Sequence, residues 1–400
     1  MTATATATAT ASVSLRGRTV GWLDYFAGEE AYRLEFAPGW LSDPDREVLA
    51  QQYEDLLPEP VESRGLPQWF QEILPQGPLR GFLTRRLGLE EFDEFELLLA
   101  LGADLPGAVT VAPCAPRSTA RRPQVPPPRP PPSPGMRLAF SLAGVQWKLS
   151  VKKNGRGLVV PARGEGGDWI AKFHDPTYPD LPRIEFATTE WAAASGIPTP
   201  ATRLGRVEEF EELPPGIPLG DGTVFLSERF DRAPLVHMED FAQVLGRADQ
   251  FRGTAEEVGV VLHALDPRST KTYIERLVFF TLCGNGDAHL KNWAIRYPDG
   301  RTAELSPAYD IVPTILFLEG QGLVLPLGGT SEFGALTLRS FRRLAEVCRL
   351  PLSDVQEWGA DMETRTRRAW KDGRPFSLRE EEARRIDQHL GQVTLGGAGS

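Results

Sequence analysis

The sequence predicts an α+β fold of two lobes, a small β-rich lobe followed by a larger helical one, with a separate N-terminal domain in front. Three observations predict it. A proline-rich tract from Ala115 to Pro134 splits the chain. Beyond the tract, short alternating apolar segments read as strands, and from Met238 onward helical periodicity takes over. The length of 400 residues exceeds that of an ordinary single domain, so several cooperating units are expected.

The alternating Thr/Ala start, residues 1–12, has no charged block followed by an apolar one and reads as a disordered tail, not a secretory signal. Residues 13–112 form the N-terminal domain. Val20–Tyr25 and Tyr32–Phe36 alternate as paired strands, and helices are expected over Asp45–Glu54, Gln68–Ile73, Leu79–Leu87 and Glu91–Leu101. Nothing in this domain looks catalytic, and a binding or scaffolding role is its expected use. Residues 113–135 make the linker. Proline lacks the amide donor and fixes φ, so the segment is an extended, semi-rigid spacer.

Residues 136–235 carry the strands of the small lobe: Arg137–Phe140, Trp147–Val151, Trp169–Phe173 and Phe225–Phe230. A helix from Glu185 to Ser195 interrupts them, with Gly196 and Pro198 as its stop. Residues 236–400 are the helical lobe. Thr272–Cys283 is apolar enough to be central, Phe341, Leu344, Ala345 and Cys348 share one helical face, and Ser377–Leu390 is a closing amphipathic helix.

Composition excludes several classes. A formal net charge of −10 argues against a general nucleic-acid binder, although Leu105 to Gly164 holds no acidic residue and several Arg and Lys. Cys114, Cys283 and Cys348 are too scattered for a metal cluster or a disulfide framework, which suits a reducing cytoplasm. No stretch approaches the roughly 20 apolar residues of a membrane span.

Chemistry concentrates in Cys283–Asn292, CGNGDAHLKN, and Leu305–Ile311, LSPAYDI. Asn-Gly-Asp alone is what any helix-ending turn contains. Here His, Lys, Asn and a second Asp accompany it, and Asp287 and Asn292 stand five positions apart, the interval between the catalytic Asp and the Mg-binding Asn of a protein-kinase loop. Phosphoryl transfer needs a carboxylate to orient the attacking hydroxyl, which suits Asp287, and oxygen ligands for Mg²⁺, which suits Asn292 and Asp310. Lys172, on a short strand between Ile170 and Phe173, suits a phosphate-pairing lysine, and Glu185 on the next helix is placed to hold it. Small residues within Ser141–Lys148, SLAGVQWK, permit close backbone approach to a phosphate, though the run matches neither dinucleotide nor Walker pattern.

SLAGVQWKLSV resembles the phosphate loop of the HipA family, toxins of bacterial toxin–antitoxin pairs, whose members read S-x-A-G-x-Q-x-K. NGDAHLKN and PAYDIV resemble that family's catalytic and metal-binding loops, IEFATTEWAAASGIPTP its lobe-linking helix, and FLSERFDR its nucleotide hinge. PQGPLRGFLTRRLGL and LGADLPGAVTV resemble parts of its N-terminal subdomain, so the similarity covers nearly the whole chain from about residue 13. The resemblance implies a two-lobed protein-kinase-like, HipA-like fold and an ATP- and Mg-dependent serine/threonine protein kinase. It implies that Ala143, Gly144, Val145, Gln146 and Lys148 cradle the ATP phosphates together with Lys172, which Glu185 positions. Backbone groups of Glu228 and Phe230 would receive the adenine. Asp287 would be the base, Lys291 would neutralise the transferring phosphate, His289 would order the loop, and Asn292 with Asp310 would bind Mg²⁺. Ser141 matches an autophosphorylation position. Family members commonly phosphorylate an aminoacyl-tRNA synthetase and pair with HipB, a small helix-turn-helix antitoxin that binds operator DNA, so DNA would be reached only through that partner. Competing readings are a small-molecule kinase of the same architecture and a catalytically weak corepressor.

Overall fold

The computed structural model describes residues 5–89, 93–119, 123, 125, 146–154, 157–159, 166–373 and 376–396. The N-terminal domain is a five-stranded antiparallel sheet in the order Val61–Arg64, Ala31–Phe36, Arg18–Phe26, Ala9–Leu15, Val109–Cys114. Its buried face carries Val13, Leu23, Leu34 and Val111, packed against Trp69, Phe70, Phe95 and Leu98 from short helices. Residues 5–12, expected to be part of a disordered tail, are therefore mostly ordered strand. Ala9–Leu15 pairs on both sides, and Ala5–Thr6 pairs with Ser118–Thr119 from the start of the proline-rich tract. Period-two Thr/Ala alternation is itself a strand pattern, with Ala11 and Val13 inward. Helix forms at Gln68–Ile73, Gly77–Leu87 and Glu94–Leu101, whereas of Asp45–Glu54 only Gln51–Glu54 is helical.

The small lobe is a second antiparallel sheet, ordered Thr202–Arg206, Thr223–Glu228, Trp169–Lys172, Lys148–Asn154, Gly157–Val159. One face buries Val151, Ala171, Phe173, Val224 and Leu226, and the other looks into a cleft. The expected strand Arg137–Phe140 lies outside the described residues.

Leu181–Ala194 is the lobe-linking helix, begun four residues before Glu185 by Pro182 in its first turn. It is fastened to the helical lobe: Trp191 packs at 4.6 Å from Trp370 and 5.3 Å from Phe279, and Arg183 pairs bidentately with Glu382. The helical lobe is built around Thr270–Cys283, buried along nearly its whole length. Leu352–Gly373, the 22-residue helix that crosses it, and the closing helix Glu380–Gln392 complete the lobe. The chain thus has the two-lobed α+β kinase-like architecture. Among the described residues, no helix is long and apolar enough to cross a membrane.

Candidate active site

In the small-lobe sheet, Lys172 stands directly opposite Lys148 on the neighbouring strand, and opposite Phe225 on the other. Two ammonium groups at paired positions repel unless anions gather around them. Two carboxylates do so. Lys172 Nζ lies 2.5 Å from Glu185 Oε1 and also bonds Asp310 Oδ1. Burial works against the charge on Lys172, but Asp310 and Glu185 hold its pKa above the ordinary lysine value. Burial pushes the Glu185 carboxyl up to about 7, with Lys172 pulling the other way. The Asp310 carboxyl, despite burial, is held well below the usual carboxylate range by Lys172 and Lys148. Asp310 also sits at φ 58°, left-handed for a residue with a Cβ, a strain of a kind that clusters at functional sites.

The loop after the central helix is fixed by its own turn chemistry. Gly284 ends the helix at φ 74°, and a Cβ there would strike Ile315. Gly286 allows close approach of the Gly322 carbonyl, and its N–H donates to Thr314 Oγ1 at 2.9 Å. The Asp287 N–H donates to Asn285 Oδ1 at 3.1 Å, and its carboxylate is half-buried. The Lys291 N–H donates to His289 Nδ1 at 3.2 Å, so Nε2 carries the ring proton. Burial pushes the His289 pKa down to about 3, which keeps the ring neutral, and its buried Nε2 has no partner among the described residues. Asn292 is likewise buried with an unpartnered Oδ1. The Tyr309 hydroxyl donates to the Lys291 carbonyl at 2.7 Å, tying the segment that carries Asp310 to this loop.

Between these groups lies a cavity of about 600 Å³. Gln146, Lys148, Lys172, Glu185, Glu228, Phe230, His289, Lys291 and Asp310 line it, so the structure brings these sequence-predicted residues together. Asp287 and Asn292 belong to the same loop but are not among the described lining residues. Ser141, Ala143, Gly144 and Val145 lie outside the described residues. The Glu228 N–H donates to Ala201 O at 2.8 Å and is not free as a donor to a base. Phe230 packs at 5.6 Å from Tyr309, which joins the hinge to the Asp310 segment.

The N-terminal domain closes one side of the cavity with Leu74, Leu79, Leu83, Leu101 and Pro106. It is latched to the hinge: Arg229 and Arg232 both reach Asp104 Oδ1, at 2.9 and 2.8 Å, and both pair with Asp231. Comparison with known proteins bears directly on this assembly. Residues 11–112 match the HipA N-terminal domain family and residues 140–370 the HipA-like C-terminal domain family. The chain belongs to the HipA family. It is 38% identical over 350 residues to the protein named "Putative kinase Y4dM" of Sinorhizobium fredii (strain NBRC 101917 / NGR234), covering 82% of this chain and 83% of that one. It is 26% identical over 321 residues to "Putative kinase Y4mE" of the same strain, covering 70% and 72%. A solved complex of Shewanella oneidensis MR-1 HipA, HipB and operator DNA superposes with a TM-score of 0.71 at 18% identity, covering 96% of this chain and 95% of that one.

For this HipA-family, kinase-like chain, the groups sequence reasoning missed come from outside the motifs. Glu72 of the N-terminal domain bonds Lys291, and Asp240 faces the same ammonium at 3.8 Å. Asp104 holds the hinge arginines. Arg229, Asp231 and Arg232 stood in the FLSERFDR run, yet the partner that latches the two arginines to the N-terminal domain, Asp104, lies over 120 positions away and left no local signal.

Proposed function

We propose that this chain transfers the γ-phosphoryl group of ATP to a serine or threonine hydroxyl of a protein, and to its own Ser141. The observation that carries the reading is the Lys148–Lys172 pair, held by Glu185 and Asp310 on the wall of a cavity that His289 and Lys291 also line. Paired lysines make a strong site for a polyphosphate, and a neutral His289 with a spare N–H adds a donor. Asp287 would orient the acceptor hydroxyl and take its proton.

The residues also fit a hard divalent cation. The unpartnered Asn292 Oδ1 and the ionised Asp310 carboxylate are the oxygen donors that Mg²⁺ takes. Mg²⁺, when bound, would neutralise charge on the phosphates. The partner we propose is a HipB-like helix-turn-helix antitoxin. The net charge of −10 suits contact with DNA through that partner better than a broad surface of this chain's own.

The test is phosphate incorporation from Mg-ATP by phosphatase-treated protein, followed by intact mass, for wild type and Asp287→Ala. Gain of one phosphate by wild type alone supports the reading. No gain by either, together with no ATP binding by wild type, would sink it.

A further inference from the structure

We propose that Glu72, supplied by the N-terminal domain, is a positioning residue for Lys291 in the phosphoryl-transfer centre; the inference rests on the kinase reading above. Lys291 Nζ donates to the Glu72 backbone carbonyl at 2.6 Å and to Glu72 Oε2 at 2.9 Å, across 219 positions of sequence. An ammonium has three N–H donors. Two go to Glu72, and Asp240 Oδ2 at 3.8 Å is beyond hydrogen-bond reach, so among the described residues the third has no acceptor and is available to an oxygen in the cavity that Lys291 lines.

Glu72 is held firmly in place. The helix Gln68–Ile73 that carries it is seated on the helical lobe by Trp69 Nε1 donating to Glu239 Oε1 at 2.8 Å. Gln243 Nε2 donates to the Trp69 carbonyl at 3.3 Å, and the Glu72 side chain is only 5% exposed. A free lysine samples many rotamers, and a group that must meet a transferring phosphate gains from being fixed in advance. Half of the grip on Lys291 is a backbone carbonyl, which no side-chain rotation can withdraw, so the contact is a seat and not a gate. The N-terminal domain therefore completes the centre, which gives physical sense to its place on the cavity wall.

The test uses the full chain with Glu72→Gln, Glu72→Asp, Lys291→Ala and the double variant Glu72→Gln/Lys291→Ala. Transfer to myelin basic protein and labelling of Lys291 by an acylating reagent, read by mass spectrometry, are measured on each protein that melts cooperatively. We expect Glu72→Gln to lower kcat at least tenfold with the KM for ATP within threefold. Glu72→Asp, which keeps the charge and the carbonyl, recovers part of the loss. The double variant is no slower than Lys291→Ala, because two residues acting as one unit are not additive. Lys291 acylation rises several-fold in Glu72→Gln whether or not the acceptor is used. Unchanged acylation, a faster Glu72→Gln, or losses that multiply in the double variant would each overturn the proposal. If Lys291→Ala keeps wild-type kcat while Asp287→Ala is inactive, the role of Lys291 fails and this inference with it, with the kinase reading intact. If Asp287→Ala is fully active, the kinase reading itself has failed.

Discussion

Lys148 and Lys172 are direct cross-strand partners, and among the described residues only Lys172 is tied into the protein by a buried carboxylate, Glu185 at 2.5 Å. The two lysines should therefore respond differently to removal. Lys172→Met strands Glu185, which is 1% exposed, and should cost about 3–5 kcal/mol of stability along with ATP affinity. Lys148→Ala relieves a like-charge pair with Lys172 but also removes an attraction to Asp310, so the melting temperature of the ligand-free protein should move little while ATP affinity falls about tenfold or more. Melting scans with and without ATP check both.

Asp287→Asn removes the proposed base but keeps the size of the side chain at the end of a loop whose shape depends on backbone bonds. Single-turnover phosphate transfer should drop by about 10²–10⁴, with ATP affinity changed little. A matched loss of ATP binding would instead mean that the substitution had disturbed the loop.

Asn292 buries an amide oxygen with no partner among the described residues, which ordinarily costs free energy and calls for a ligand. Asn292→Ala should raise the Mg²⁺ concentration needed for half-maximal turnover by about tenfold or more, leaving the melting temperature of the metal-free protein equal or higher. A Mg²⁺ titration of the transfer rate at saturating ATP decides it. Chelation by EDTA should stop wild-type turnover.

The parts of this architecture legible in the sequence are those fixed by local chemistry. Glycine and polar residues around Asp287 write the loop into a short window, and Lys172 sits in a four-residue strand that alternation alone marks out. The strand Ala9–Leu15 was hidden because its inward residues include Ala11, a weak apolar signal, and its partner Val109–Cys114 lies about 100 positions on. Leu352–Gly373 was missed although it is the longest helix described, since it is charge-rich and buries only Val355, Met362, Ala369 and Trp370 among its larger apolar side chains. Glu72 could not be found at all. Its meaning comes from one ammonium 219 positions away, and nothing in its neighbours announces that contact.

The interface between the N-terminal domain and the helical lobe also predicts a pH dependence. Glu239 is fully buried, and its carboxylate accepts from Trp69 Nε1 at 2.8 Å, from the Gln51 N–H at 3.1 Å and from the Tyr297 hydroxyl at 2.6 Å. Burial pushes its pKa up to about 7, with those donors pulling it back. A raised carboxylate means that the folded state holds more protons than the unfolded state between pH 4.5 and about 7. Its contribution to stability is thus greatest below that window and declines as pH rises through it. His237, kept neutral by burial with a pKa of about 4, works in the opposite sense over part of the same range, and Glu185 and Asp240, raised by burial to about 7 and about 6, work in the same sense as Glu239, so the wild-type curve alone mixes several groups. The difference between wild type and Glu239→Gln isolates the carboxyl. Gln can still accept from Trp69 and Gln51 and can donate to the Tyr297 oxygen, so the variant should fold. Its melting temperature relative to wild type should climb by a few degrees between pH 5 and pH 8. A flat difference across that range would mean that Glu239 titrates in the folded protein as it does in the unfolded chain.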